Sequence, residues 1–185
     1  MKKWSDIVQL TLDKLNMSSE EANRQGYNDK MRSFANECLN LIANDVKPKL
    51  VKLDLEISSP SSVVTLGDDF LSFSNLSSYK DGEKTGENFI FGYNRLFFKE
   101  PGNYIIYYNA IWDNITSEDI KTNSVLEIEP SVLNCLPSYI ASQLLSEDNM
   151  TRSAILRNEF ESMVERLDLS EIRDHEVFTS EGGWY

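Results

Sequence analysis

Few side chains in this sequence are suited to nucleophilic or metal chemistry. His175 is the only histidine and lies in a polar C-terminal segment, so a catalytic triad or a Cys–His pair would have to use it. We interpret it instead as a solvated surface residue. One histidine and two widely spaced cysteines, Cys38 and Cys135, do not make the clustered set that holds zinc. The sequence therefore predicts no catalytic residue, no metal and no cofactor.

Paired carboxylates are the remaining candidates for chemistry, since the chain has 30 Asp and Glu. Asp68–Asp69 and Glu118–Asp119 lie in segments that are predicted to be loops, where glycosidase acids and calcium ligands can occur. Neither pair has the alternating Asp spacing of a calcium-binding loop. We therefore predict that the protein is not an enzyme.

The net charge of −12 restricts the kinds of partner that the surface suits. Surfaces that bind nucleic acid carry clustered Lys and Arg, which contact the phosphates. Sequence-specific binding of DNA or RNA is therefore not expected. Two interpretations of the acidic excess stay open: it serves solubility alone, or it repels a polyanion such as passing DNA.

The cysteines and the hydropathy of the chain indicate its surroundings. Cys38 and Cys135 lie among apolar residues of predicted helices, which indicates small buried side chains in a reducing compartment. A disulfide between the helical segments is the alternative. The first residues lack the apolar stretch of a signal peptide, and no window approaches the ~20 apolar residues of a membrane span. We expect no contact with a membrane.

The period of the apolar residues changes twice along the chain and divides it into three parts. The period is about 3.6 in the first and last parts and about 2 in the middle part. We predict four principal helices, near residues 4–15, 27–46, 136–147 and 150–167. The fold class is predicted as α+β: mainly a helical bundle, with an inserted antiparallel β module.

Domain boundaries follow from this division. Residues 1–48 and 130–168 are predicted to form the helical bundle, 49–129 the inserted β module, and 169–185 an extended C-terminal arm. The third helix is predicted to start near Leu136, because proline is tolerated in the first turn of a helix but not well inside one.

Within the β module, residues 77–88 are predicted to be a mobile loop and residues 125–128 a last strand. Three strand-like runs between Phe89 and Trp112 predict an antiparallel meander rich in aromatic residues. These aromatics have three interpretations: core packing, a protein interface, or stacking on carbohydrate. For an interface, we expect Phe97, Tyr107 and Trp112 to contact the partner.

Five segments together resemble a known group of viral proteins. They are residues 36–43 in the second principal helix, the Pro-Gly hairpin and Tyr-Tyr strand of 97–108, the Leu-Pro-Ser-Tyr run and the acidic pair of 136–148, residues 157–161, and the closing Gly-Gly-Trp-Tyr of 182–185. This combination resembles the head–tail connector proteins of tailed bacteriophages, the adaptor or head-completion group, with gatekeeper-type proteins as more distant relatives.

The resemblance implies a structural protein of the virion neck, assembled in the host cytoplasm and without catalytic residues. It implies a homo-oligomeric ring, expected to be a dodecamer and a monomer when free. The ring would bind the portal protein and the next neck or tail protein and line the channel for DNA. We expect the C-terminal arm to dock on the portal, with Phe178, Trp184 and Tyr185 as apolar anchors.

A different class of function remains as the alternative. The chain is then a stand-alone, tail-associated binding module that recognises a host-surface glycan or protein through its aromatic β insertion. This alternative requires exposed aromatic side chains with polar neighbours, whereas the connector function requires lateral contacts between helices around a ring.

Overall fold

A computed structural model describes residues 2–24, 26–74, 78–85 and 89–175 of the chain. The described residues form six helices and eight strands. In chain order the elements are α1 (Trp4–Leu15), α2 (Ser19–Arg24), α3 (Tyr27–Asp45), β1 (Lys49–Ile57), β2 (Ser62–Thr65), β3 (Phe70–Phe73), β4 (Ser78–Lys80), β5 (Glu83–Thr85), β6 (Phe89–Gly92), β7 (Arg95–Phe98), β8 (Gly102–Ala110), α4 (Ser117–Thr122), α5 (Pro130–Leu144) and α6 (Met150–His175).

The chain divides into two compact units. The helical unit comprises Met1–Ile42 and Asp113–Tyr185, and the β unit comprises Ala43–Trp112. The predicted fold class is wrong in describing a mainly helical bundle with four principal helices and an inserted module. The chain is α+β, with two sheets that enclose a core of their own. Strands of three or four residues, such as β4 and β5, are too short for their alternation to stand out in the sequence.

Helices α1 and α3 confirm the apolar pattern that predicted them. The buried face of α1 includes Trp4, Ile7, Leu12 and Leu15, and the helix ends at Asn16, which takes a left-handed conformation with φ of 53°. Between α2 and α3 the chain turns at Gly26, whose φ of 68° costs little without a side chain.

Helix α5 starts earlier than predicted. Pro130 occupies its first turn and Pro137 lies inside it, so the predicted start near Leu136 is wrong. An interior proline costs roughly 3 kcal/mol. Helix α5 buries 11 of its 15 residues, and packing on this scale outweighs the local cost.

The regions flanking these helices also differ from prediction. Helix α6 continues to His175, so residues 169–175 are helical and do not start an extended arm. The segment around Glu118 forms the short helix α4 and is not a loop. Residues 125–128 form no strand, and Val125 makes only an isolated antiparallel bridge to Lys3.

Strand β8 is central to the first sheet of the β unit. It pairs with β1 along its whole length, from Gly102 opposite Ile57 to Ala110 opposite Lys49. On its other side it pairs with β3 and β4, and β4 pairs with β5 inside the segment that was predicted to be a loop. The second sheet has the order β2-β7-β6.

The predicted meander is wrong because β7 and β8 belong to different sheets. In both strands every second side chain is buried, and two facing layers bury both sets in one core. Buried residues of this core are Ile57, Leu66, Leu96, Phe98, Tyr104, Ile106, Tyr108 and Ala110. The rings of Phe98 and Tyr104 contact each other across it, with centroids 4.7 Å apart.

Candidate interaction surfaces

The two cysteines are buried and free, which confirms the prediction of burial and gives no disulfide. Burial raises the pKa of the Cys135 thiol to about 11, and burial likewise raises the pKa of Cys38 well above its usual value. Both thiols are therefore protonated at neutral pH. A protonated, buried thiol is a poor nucleophile and a poor metal ligand.

One carboxylate of each predicted pair accepts hydrogen bonds within the fold. Asp119 Oδ2 accepts hydrogen bonds from the backbone N and the Oγ1 of Thr116, at 2.8 and 2.6 Å, and thereby caps α4. These bonds, with a third from Ser124, lower the pKa of Asp119. Asp69 Oδ2 accepts from the Tyr108 hydroxyl at 3.4 Å, and its carbonyl accepts from Ile111 N at 2.9 Å. Both aspartates thus have a structural role.

A partly buried polar contact, which the sequence analysis missed, joins three helices of the helical unit. The Tyr139 hydroxyl of α5 donates to Glu37 Oε1 of α3 at 2.9 Å. The Arg157 guanidinium of α6 lies 5.4 Å from the ring centroids of both Tyr139 and Phe160. Burial and the neighbouring Glu37 carboxylate raise the pKa of Tyr139 far above its usual value. We call this the Glu37–Tyr139–Arg157 contact.

The described residues contain no group of three or more His, Cys, Asp and Glu placed to hold a metal ion. His175 is the last residue of α6. A groove of about 270 Å³ in the helical unit is lined by residues that include Tyr27, Lys30, Gln143 and Glu147. Its lining combines both signs of charge and contains no cysteine or histidine.

The three predicted interface residues of the β unit lie in three different environments. Phe97 is on the outer face of the second sheet and is partly exposed. Tyr107 is half-buried on the outer face of the first sheet, opposite Lys52. Trp112 is only 7% exposed, and its indole N–H donates to the Lys47 carbonyl at 2.8 Å. The structure does not bring them together, and Trp112 does not offer its ring to a partner.

A different aromatic surface lies at the turn between β6 and β7. Tyr93 is 94% exposed in this turn, and Phe97 and Val63 lie opposite each other on the exposed face of the same sheet. The Phe97 ring lies against Gly92, where a Cβ would come within 3.0 Å of it. We call Val63, Tyr93 and Phe97 the hairpin-tip patch. The sequence analysis did not identify this patch; the sequence signal that could have found it is the Tyr-Asn turn directly after a strand.

The helical unit also exposes large apolar side chains. Met150 and Ile155 of α6 are 77% and 62% exposed, and Leu10 of α1 is partly exposed. Lys14 and Glu159 form an ion pair of 2.6 Å that ties α1 to α6. Met150 and Ile155 therefore lie on a helix that is fixed by its other contacts.

Charge is divided unevenly between the two units. The helical unit has 11 Lys and Arg against 21 Asp and Glu, a net charge of −10, whereas the β unit has 7 against 9, a net charge of −2. Most of the acidic excess of the chain thus belongs to the helical unit.

The predicted arm anchors Phe178, Trp184 and Tyr185 lie outside the described residues. No helix among residues 2–24, 26–74, 78–85 and 89–175 is long and apolar enough to cross a membrane. Comparison of the chain with protein-family models and with curated protein sequences gave no match.

Proposed function

We propose that this chain is a structural protein of a tailed-phage neck. Twelve copies form a ring that binds the portal protein and the next neck or tail protein, and the ring surrounds the DNA channel. The observation that carries the proposal is the net charge of −10 on the helical unit. That unit also contains residues 136–148, the segment with the most specific resemblance to connectors.

The charge suits a channel for DNA. Carboxylates that line a pore repel phosphates and let the duplex slide, whereas lysine or arginine rings retain it. The repulsion acts over about 8 Å at physiological salt, which is enough to keep DNA from adhering to a channel wall. In this proposal the helical unit contributes the channel surface.

A ring also requires lateral contacts between copies. Met150 and Ile155 are large apolar side chains on the exposed face of α6, and burying each contributes roughly 1.5–3 kcal/mol. We assign them to the contact with a neighbouring copy. The segment after α6, with Phe178, Trp184 and Tyr185, docks on the portal in this proposal.

Cryo-electron microscopy of virions of the phage that encodes this chain tests the proposal. The expected result is a ring of the protein between portal and tail. Ile155→Glu should abolish incorporation, because it places a charge in the lateral contact. Ser162→Glu, at an exposed position of the same helix about two turns beyond Ile155, is the matched control and should incorporate normally. Absence of the protein from the neck, or normal incorporation of Ile155→Glu, contradicts the proposal.

The hairpin-tip patch favours a second candidate, the tail-associated binding module. Tyr93 is almost fully exposed and is followed by the polar residues Asn94 and Arg95, as in surfaces that stack on sugars. For this function, Tyr93→Ala should abolish binding of the purified protein to host cells. Tyr79→Ala, on the other sheet, is the control. The same virions should then carry the protein at the distal end of the tail.

A further inference from the structure

Strand β1 forms a long edge of the first sheet. It is nine residues long, runs without a bulge along β8, and pairs with no other strand among the described residues. An edge strand of this length presents a row of backbone donors and acceptors that can pair with another strand.

The backbone groups that face this open edge can be identified. Ser74 N donates to the Tyr107 carbonyl at 3.3 Å, and Asp81 N donates to the Asn103 carbonyl at 2.8 Å. Odd-numbered residues of β8 therefore direct their backbone groups away from β1. In an antiparallel ladder the residues opposite them do the same on the other side. The outward-facing residues of β1 are Leu50, Lys52, Asp54 and Glu56.

The apolar face of β1 is incompletely buried. Tyr104 and Ile106 of β8 are each 1% exposed. Leu55 and Leu53, directly opposite them on β1, are only half-buried although they point to the same core. Another strand on the open edge would cover more of these leucines.

The charges on the outer face of β1 are complementary to those of a second β1. When two copies pair antiparallel about Leu53, Lys52 of each lies opposite Asp54 of the other, and Leu50 lies opposite Glu56. All four are outward-facing residues, so each such pair exchanges two backbone hydrogen bonds, about eight in total. Sliding by two residues sets Lys52 opposite Lys52 or Asp54 opposite Asp54, which is repulsive.

We propose that the β1 edge binds a second copy of this chain, strand to strand and antiparallel, about a two-fold axis at Leu53. The same surface serves both copies, so the contact closes on itself and stops at a dimer. It is not the lateral contact of a ring. The dimer is the form of the free chain, and the proposal stands whether or not the chain belongs to a phage neck.

Cysteine cross-linking tests the register. At the two-fold axis the two Leu53 residues form a pair without hydrogen bonds, with Cα atoms about 4.5 Å apart, a distance that suits a disulfide. Leu53→Cys should therefore give a covalent dimer under mild oxidation. Leu50→Cys is the matched control: it is more exposed, but its two copies would lie roughly 20 Å apart. Cys38 and Cys135 are buried and do not interfere.

Charge reversal tests the proposal without a cysteine. Asp54→Lys and Lys52→Glu each set like charges opposite each other twice, and each should weaken dimerisation at least tenfold in sedimentation velocity at low salt. The exchange Lys52→Asp with Asp54→Lys restores the complementarity and should restore the dimer. It also keeps the ion pair within the strand, in which Lys52 Nζ and Asp54 Oδ1 are 2.9 Å apart in the native chain.

Four results overturn the proposal. The first is a native chain that stays monomeric at high concentration, and the second is equal cross-linking at positions 50 and 53. The third is an exchange variant that dimerises no better than the single reversals, and the fourth is a dimer that survives every reversal, which would place the two-fold contact elsewhere.

Discussion

The helical unit and the β unit hold their elements together with different groups. Backbone hydrogen bonds of a helix stay inside that helix, so α1, α3, α5 and α6 are joined by side chains alone. Examples are the ion pair of Lys14 with Glu159 and the Glu37–Tyr139–Arg157 contact. In the β unit the ladders themselves join the strands, and β8 pairs with three of them. Replacing a single side chain should therefore destabilise the packing of elements more in the helical unit than in the β unit.

The largest loss of unfolding free energy is expected for truncations of core side chains, one in each unit. Phe160→Ala removes a fully buried ring that packs edge-to-face on Tyr139, 5.0 Å between centroids, and should cost about 3–5 kcal/mol of unfolding free energy. Leu96→Ala in the β unit should cost about 2–5 kcal/mol. Hydrogen exchange with mass spectrometry should show faster exchange only in the unit that carries the substitution. Equal acceleration in both units would mean that they unfold as one and would break the comparison.

An intermediate effect is expected at the Glu37–Tyr139–Arg157 contact. Tyr139→Phe leaves the Glu37 carboxylate without its hydroxyl donor and should cost about 1–3 kcal/mol in urea unfolding. Glu37→Gln keeps an acceptor and is the control with the smaller loss. If both variants lose less than about 0.5 kcal/mol, this contact does not join the helices.

The same contact sets an alkaline limit on stability. The folded state raises the pKa of Tyr139 above the unfolded value of 10.0, so the protonated phenol contributes fully below that pH. The contribution is lost as the pH rises above 10, because the unfolded chain releases the proton more readily. The free energy of unfolding of the native chain, measured in urea, should fall steeply above that pH, and that of Tyr139→Phe should fall less. Parallel pH curves for the two proteins would contradict this.

The smallest effect is expected at the hairpin-tip patch. Tyr93→Ala should change the unfolding free energy by less than about 0.5 kcal/mol, since the side chain is exposed. Trp112→Phe, which removes the indole hydrogen bond to Lys47, should cost about 1 kcal/mol. Thermal unfolding of both variants measures the contrast between an exposed and a buried aromatic residue. A larger loss for Tyr93→Ala would mean that Tyr93 packs within its own unit.

The helices were largely predictable because the apolar period is a local signal. It located α1 and α3 within a residue or so. It missed the early start of α5, because the cost of Pro137 is local while the packing that offsets it is not. It also missed the last turns of α6, where residues 168–175 continue the helix although the sequence becomes polar and acidic after Leu167.

The sheets were less predictable because pairing joins residues that are distant in sequence. Alternation predicts β1, and a strand-like aromatic run predicts β8, but neither pattern shows that the two strands are neighbours or that β7 lies in the other sheet. The prediction of the interface residues of the β unit was wrong for the same reason. Phe97, Tyr107 and Trp112 are similar in the sequence, and only the layer and face of each strand decide which ring is exposed.

The central position of β8 has a consequence for synthesis of the chain on the ribosome. It is the last strand of the β unit to be made, yet β1, β3 and β4 all pair with it. About 50 residues separate the centres of β1 and β8, and at translation rates of roughly 5–20 residues per second the nascent β1 waits several seconds for its partner. During that interval both of its edges are open. Translational pausing before Gly102 should therefore increase aggregation of the nascent chain, whereas pausing after Ala110 should not.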